Sequence, residues 1–149
     1  VGVVSRHPLA RAVRVDKLSL AGLVATLLHY VKGDAERKVP IWRMVALSPD
    51  EIRARALRWG DGLGDSATLV EGLSTIGGGS LPGETLPTWL LCLSSQGIEG
   101  GPDELARRLR SGSPPVVGRI EDDRLLLDPR TVLPEEDETL VNVVREAHS

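Results

Sequence analysis

The chain of 149 residues has no phenylalanine, one tyrosine and three tryptophans. With so few rings, its core has to be assembled from Leu, Val, Ile and Ala. A single cysteine, Cys92, excludes an internal disulfide and fits a reducing cytosol. No apolar run approaches the roughly 20 residues a helix needs to cross a bilayer, and no signal peptide is visible. The histidines His7, His29 and His148 stand far apart, so no metal-ligand spacing exists. No convincing Ser/His/Asp order is present. Glu135, Glu136, Asp137 and Glu138 read as a helix start rather than as a catalytic carboxylate pair. The formal net charge is -3, with acids and bases interspersed. That argues against nonspecific nucleic-acid binding by the whole chain and leaves room for a local basic patch. The hydrophobic fraction of 41% is that of a globular protein and excludes global disorder.

What is there gathers first in Ser5–Leu23. Arg6, His7, Arg11, Arg14 and Lys17 precede a long apolar helix. Arg11 and Arg14 are three apart, which on a helical turn puts both guanidiniums on one face. Two planar forks so placed can grip a phosphate-like oxyanion. The competing reading is a solvated basic rim. Asp16 is a candidate N-cap for a helix over Lys17–Val31, and Gly33 its terminator. Leu20, Leu23, Val24, Leu27, Leu28 and Val31 form an apolar stripe. The opposite side carries Ala21, Gly22, Ala25, Thr26 and His29, which are small or weakly polar. Such a helix is expected to be covered on both sides, by the rest of a longer chain or by another subunit. Val1–Val4 reads as a strand entered midway, as if the amino terminus were cut from something larger.

Further along, the spacing predicts a short helix over Ile41–Ala46. Ser48-Pro49-Asp50-Glu51 has the capping-box pattern, for a helix to about Trp59 that stops at Gly60. Gly60–Ser66 then reads as a flexible turn. Thr68–Leu73 and Thr88–Ser94 read as strands, and Gly101–Ser111 as a helix. Pro115–Glu121 and Arg124–Asp128 read as strands joined by an Asp122-Asp123 hairpin. A closing helix over Pro134–Ala147 turns Leu140, Val143, Val144 and Ala147 inward. The fold class is α+β: a small antiparallel sheet with helices on one face, preceded by a long linking helix. The run Gly77-Gly78-Gly79-Ser80-Leu81-Pro82-Gly83-Glu84 invites a phosphate-loop reading, but no Gly-Lys-Ser/Thr follows and no helix begins there. A long inter-strand turn is the alternative. Cys92, within TWLLCLS, reads as an inert core thiol. The arginines Arg53, Arg55, Arg58, Arg107, Arg108 and Arg110 read as solvated faces.

Four blocks in order carry a resemblance: RHPLARAVRVDKLSLAGLVATL, VPIWRMVALSPDEIRARA, GGGSLPGETLPTW and PPVVGRIEDDRLLLDPRTVLPEEDE. Together they resemble the carboxy-terminal part of the bacterial selenocysteine synthase family, the L-seryl-tRNA(Sec) selenium transferases. The resemblance implies a fold-type I pyridoxal 5'-phosphate enzyme. Such an enzyme converts seryl-tRNA(Sec) to selenocysteinyl-tRNA(Sec) with selenophosphate, as a cytoplasmic homo-oligomer. It implies that residues 1–33 are the end of the large cofactor domain and the interdomain helix, and that residues 34–149 are the small domain. It implies that Arg11 and Arg14 bind the phosphate-like selenium donor, and that Asp16 and Lys17 are structural. The family's cofactor lysine belongs to a motif upstream of this region, and Lys17, Lys32 and Lys38 do not match it. The chain is thus expected to carry no catalytic residue, no cofactor-binding residue and no metal site of its own, and to be inactive alone. Two other readings stand beside this one. One is a non-catalytic module whose arginines contact tRNA. The other is part of a related fold-type I lyase of sulfur amino acids.

Overall fold

A computed structural model describes residues 7, 10, 14–76 and 83–149. The chain divides into two compact units, residues 1–43 and 44–149. In the first, α1 spans Lys17–Lys32 and α2 spans Ala35–Lys38. Helix α3, Pro40–Val45, begins in the first unit and ends in the second. The start and stop of α1 follow from its caps. The Asp16 carboxylate accepts from the Leu18 and Ser19 backbone N–H groups, and Gly33 takes the left-handed φ of 70° that closes the last turn. The indole of Trp42 donates to the Tyr30 hydroxyl, fixing the start of α3 against the end of α1.

The second unit is a four-stranded antiparallel sheet with three helices on one face. Helix α4 spans Pro49–Leu63, β1 Ala67–Thr75 and β2 Thr85–Leu93. Helix α5 spans Gly101–Ser111, β3 Arg119–Glu121, β4 Arg124–Leu127 and α6 Asp137–His148. The strand order is β1-β2-β4-β3. The register pairs Leu91 with Leu127 and Leu93 with Leu125, so these four leucines share a face. They pack with Trp59 and Leu63 of α4, Leu105 and Leu109 of α5, and Leu140 and Val144 of α6 in one core. The aliphatic core expected from the composition is therefore present, with Trp59 its one fully buried ring.

Most expected elements form, with shifted ends. The capping box at Ser48 is complete: Ser48 accepts from the Glu51 N–H, and Glu51 accepts from the Ser48 N–H. Helix α4 does not stop at Gly60, however, and 60–63 are not a turn. It continues through Gly60 and Gly62 to Leu63, and only Gly64–Ser66 forms a short 3-10 turn. The reason is tertiary. A Cβ on Gly62 would lie 2.9 Å from Val141 Cγ1, so α4 and α6 approach where no side chain intervenes. That packing overrides the low helix propensity of glycine. Only Arg119–Glu121 of the expected Pro115–Glu121 strand pairs with β4. Pro114 and Pro115 have no N–H to give a ladder, and Val116 donates instead to the Leu109 carbonyl at the end of α5. The β3–β4 turn is as expected. Asp122 and Asp123 both have positive φ, 50° and 57°, the signature of a type I′ hairpin. The closing helix begins as a 3-10 turn, Pro134–Glu136, before α6 proper.

Candidate functional site

Arg14 lies two residues ahead of the Asp16 cap and is exposed. Its nearest carboxylate in sequence is already occupied. Asp16 accepts from the Leu18 N–H at 2.8 Å, the Ser19 N–H at 3.0 Å and the Ser19 hydroxyl at 2.6 Å. Those bonds, the Ser19 hydroxyl foremost, hold the Asp16 carboxyl below the usual carboxylate range. The carboxylate caps the helix, and among the described residues it forms no ion pair with the arginine. Among the described residues, Arg14 makes no hydrogen bond or ion pair, which leaves its five donors available to an anion. Arg11 lies outside the described residues, as do Gly77–Pro82 of the glycine-rich run. Gly83 is exposed with φ 86°, and Glu84 is exposed.

Behind Arg14 stands a helix that buries nothing. No residue of α1 is buried, and Leu18, Leu23, Val24, Leu27 and Val31 are 85, 55, 55, 51 and 83% exposed. At its far end, His29 Nδ1 lies 2.8 Å from Asp34 Oδ1. His29 is thus engaged in a local hydrogen bond with Asp34 and is not a free ligand. That contact is the main cause holding the Asp34 carboxyl low.

In the second unit, two arginines are not solvated. Arg55 is 4% exposed and donates from Nη1 to the Pro129 carbonyl at 2.7 Å and from Nη2 to the Val132 carbonyl at 3.0 Å. It also forms a two-point pair with Asp137 and lies over the Trp59 ring. The expected solvated face is therefore wrong for Arg55, and Asp137 is a structural partner within the acidic cluster. Arg130, 5% exposed, is likewise fully bonded. Sequence reading had no signal for either beyond the Asp-Pro-Arg-Thr turn around Arg130. Arg107 and Arg108 both pair with Glu104, whose carboxyl is lowered to about 2 by the Arg107 hydrogen bond first and Arg108 next. Arg53 rests on the Trp89 ring.

A cavity of about 390 Å³ opens between Pro115, Val116, Leu127, Val132, Thr139 and Leu140, and none of the expected site residues lines it. Cys92 is partly buried. Among the described residues no cluster of His, Cys, Asp or Glu is placed to hold a metal ion, and no helix is long and apolar enough to cross a membrane.

Comparison with known proteins adds the family. The family model for L-seryl-tRNA selenium transferase matches residues 1–133. An L-seryl-tRNA(Sec) selenium transferase of Desulfovibrio desulfuricans is 40% identical over 157 aligned residues, covering 99% of this chain and 33% of the relative. One from Geobacter sulfurreducens is 40% identical, covering 100% of this chain and 33% of the relative. One from Nitratidesulfovibrio vulgaris is 43% identical over 136 residues, covering 87% and 29%. The chain spans about a third of the length of these relatives. With a matching family model over most of its length and relatives of this identity, the chain belongs to the L-seryl-tRNA selenium transferase family.

Proposed function

We propose that this chain is the carboxy-terminal part of a transferase that converts seryl-tRNA(Sec) to selenocysteinyl-tRNA(Sec). In that reading, residues 1–33 complete a large domain and carry the interdomain helix, and residues 34–149 form the small domain. Arg11 and Arg14 bind the phosphate-like group of selenophosphate, and the assembled enzyme is a homo-oligomer. The observation that carries the reading is an exposed Arg14, without an ion pair among the described residues, ahead of a helix whose leucines are all exposed. A contiguous exposed apolar face of this kind marks an interaction surface.

The residues present do not fit pyridoxal phosphate. The cofactor needs a lysine within a pocket, and the chain's lysines are Lys17, Lys32 and Lys38. All three are exposed, on α1 and α2. None lines the 390 Å³ cavity. No step through the cofactor is therefore assigned to this chain. The tRNA-module reading loses several of its arginines: Arg55 is buried, and Arg107 and Arg108 are taken up by Glu104.

Incubated with pyridoxal phosphate and reduced with borohydride, the chain will take up no stoichiometric label on Lys17, Lys32 or Lys38. Stable one-to-one labelling of a single lysine, read from the visible spectrum and peptide masses, would overturn the assignment.

A further inference from the structure

The Arg130 side chain bonds to three separate segments of the second unit. Its Nη1 faces three carbonyls at and just beyond the end of α3, those of Met44 at 3.1 Å, Val45 at 3.2 Å and Leu47 at 2.9 Å. Its Nη2 donates to the Pro87 carbonyl on β2 at 2.8 Å, and its Nε to the Ser74 hydroxyl on β1 at 3.2 Å. Ser74 in turn donates to Asp128 at 2.6 Å, as does Thr88 at 3.0 Å, and the Arg130 backbone N–H closes the set on Asp128 at 2.9 Å.

Each partner has a reason to prefer a cation. The carbonyls at the end of α3 are the unsatisfied, negative end of a helix. Only a rigid fork with five donors can serve three segments at once, and lysine has neither the fork nor the plane. Burial lowers the Arg130 pKa and the charge of Asp128 opposes that drift. A guanidinium starts so high that it keeps its proton throughout.

We infer that Arg130 is a positioning residue that makes the Met44–Leu47 segment and the outer arms of the β1–β2 hairpin one mechanical element. Ser74 and Pro87 lie in the paired ends of β1 and β2, beyond the stretch of β2 that pairs with β4. Met44–Leu47 is where the chain enters the second unit. A shift of either is transmitted through one side chain to the other. The inference does not depend on selenium chemistry or on the assignment of Arg11 and Arg14.

Hydrogen exchange on the whole chain, read by mass spectrometry, tests it. Ser74→Ala is the informative variant, because Ser74 hydrogen-bonds to none of residues 40–48. The expected result is faster exchange, by about threefold or more, in peptides covering both 72–76 and 40–48, with α5 and α6 unchanged. Arg130→Lys keeps the charge and loses the fork, and should raise exchange in both regions by at least about tenfold. Confinement of the Ser74→Ala effect to the hairpin overturns the inference. So does uniform loosening of the whole unit in Arg130→Lys, or no change in either variant.

Discussion

Arg55→Met will destabilise the second unit by about 3–5 kcal/mol, the cost of breaking a buried ion pair from one side. Methionine replaces much of the aliphatic stem beside Trp59, so little of the loss comes from a cavity. The loss comes from what is left behind. The Asp137 carboxylate loses both its guanidinium bonds, and the Pro129 and Val132 carbonyls lose their donors. These groups tie the 3-10 turn after β4 and the start of α6 to α4, so one substitution loosens three elements. Because the Asp137 side chain keeps 21% exposure, water can recover part of the penalty, which favours the lower end of the range. Adding Asp137→Asn to Arg55→Met should restore part of the stability, since the stranded charge is then gone. Arg58→Met, one turn along on the exposed side, should change stability by no more than about 0.5 kcal/mol. Urea denaturation of the four proteins decides it. Equal effects at Arg55 and Arg58 would contradict the buried-pair account.

Arg14→Ala, placed in the intact transferase, will raise the KM for selenophosphate by roughly tenfold to a hundredfold, the loss expected for hydrogen bonds to a charged group. Arg11→Ala should behave alike, and the double variant should lose less than the product of the two, because both forks would hold one anion. Affinity for seryl-tRNA(Sec) should stay the same. The premise is that Asp16 caps α1 and, among the described residues, makes no ion pair with Arg14. Initial-rate kinetics with each substrate varied separates the outcomes. A fall in tRNA affinity at constant selenophosphate KM would move these arginines to the other substrate. The folding of the isolated chain should be unaffected by Arg14→Ala, as the residue is exposed and unpaired among the described residues.

Much of this was legible in sequence because it rests on local chemistry. The caps at Asp16, Gly33 and Ser48, the Asp122-Asp123 turn and the inward face of α6 all depend on residues within a turn of each other. Their periodicity and hydrogen-bonding groups are visible in a string of letters. The misreadings have a common cause. Helix α4 runs past Gly60 because Gly62 meets Val141, almost eighty positions away. Arg55 read as a surface charge because its partners lie 74–82 residues distant. Tertiary context decides such cases, and no spacing rule anticipates them. The apolar residues of α1 were legible as a stripe, but the expectation that something covers them has no counterpart among the described residues. The expectation that Arg11 and Arg14 bind an anion came from spacing and family resemblance together, and of the two only Arg14 lies among the described residues.

Selenium transfer by the chain alone and by the chain joined to the part of the Geobacter sulfurreducens relative that it does not match is the most direct test of the whole account. Radiolabelled selenium recovered on tRNA(Sec) is the readout. The account predicts none from the 149-residue chain by itself and restored transfer from the joined protein. Selenium on tRNA from the isolated chain would contradict it, as would a joined protein that folds, binds pyridoxal phosphate and still transfers nothing.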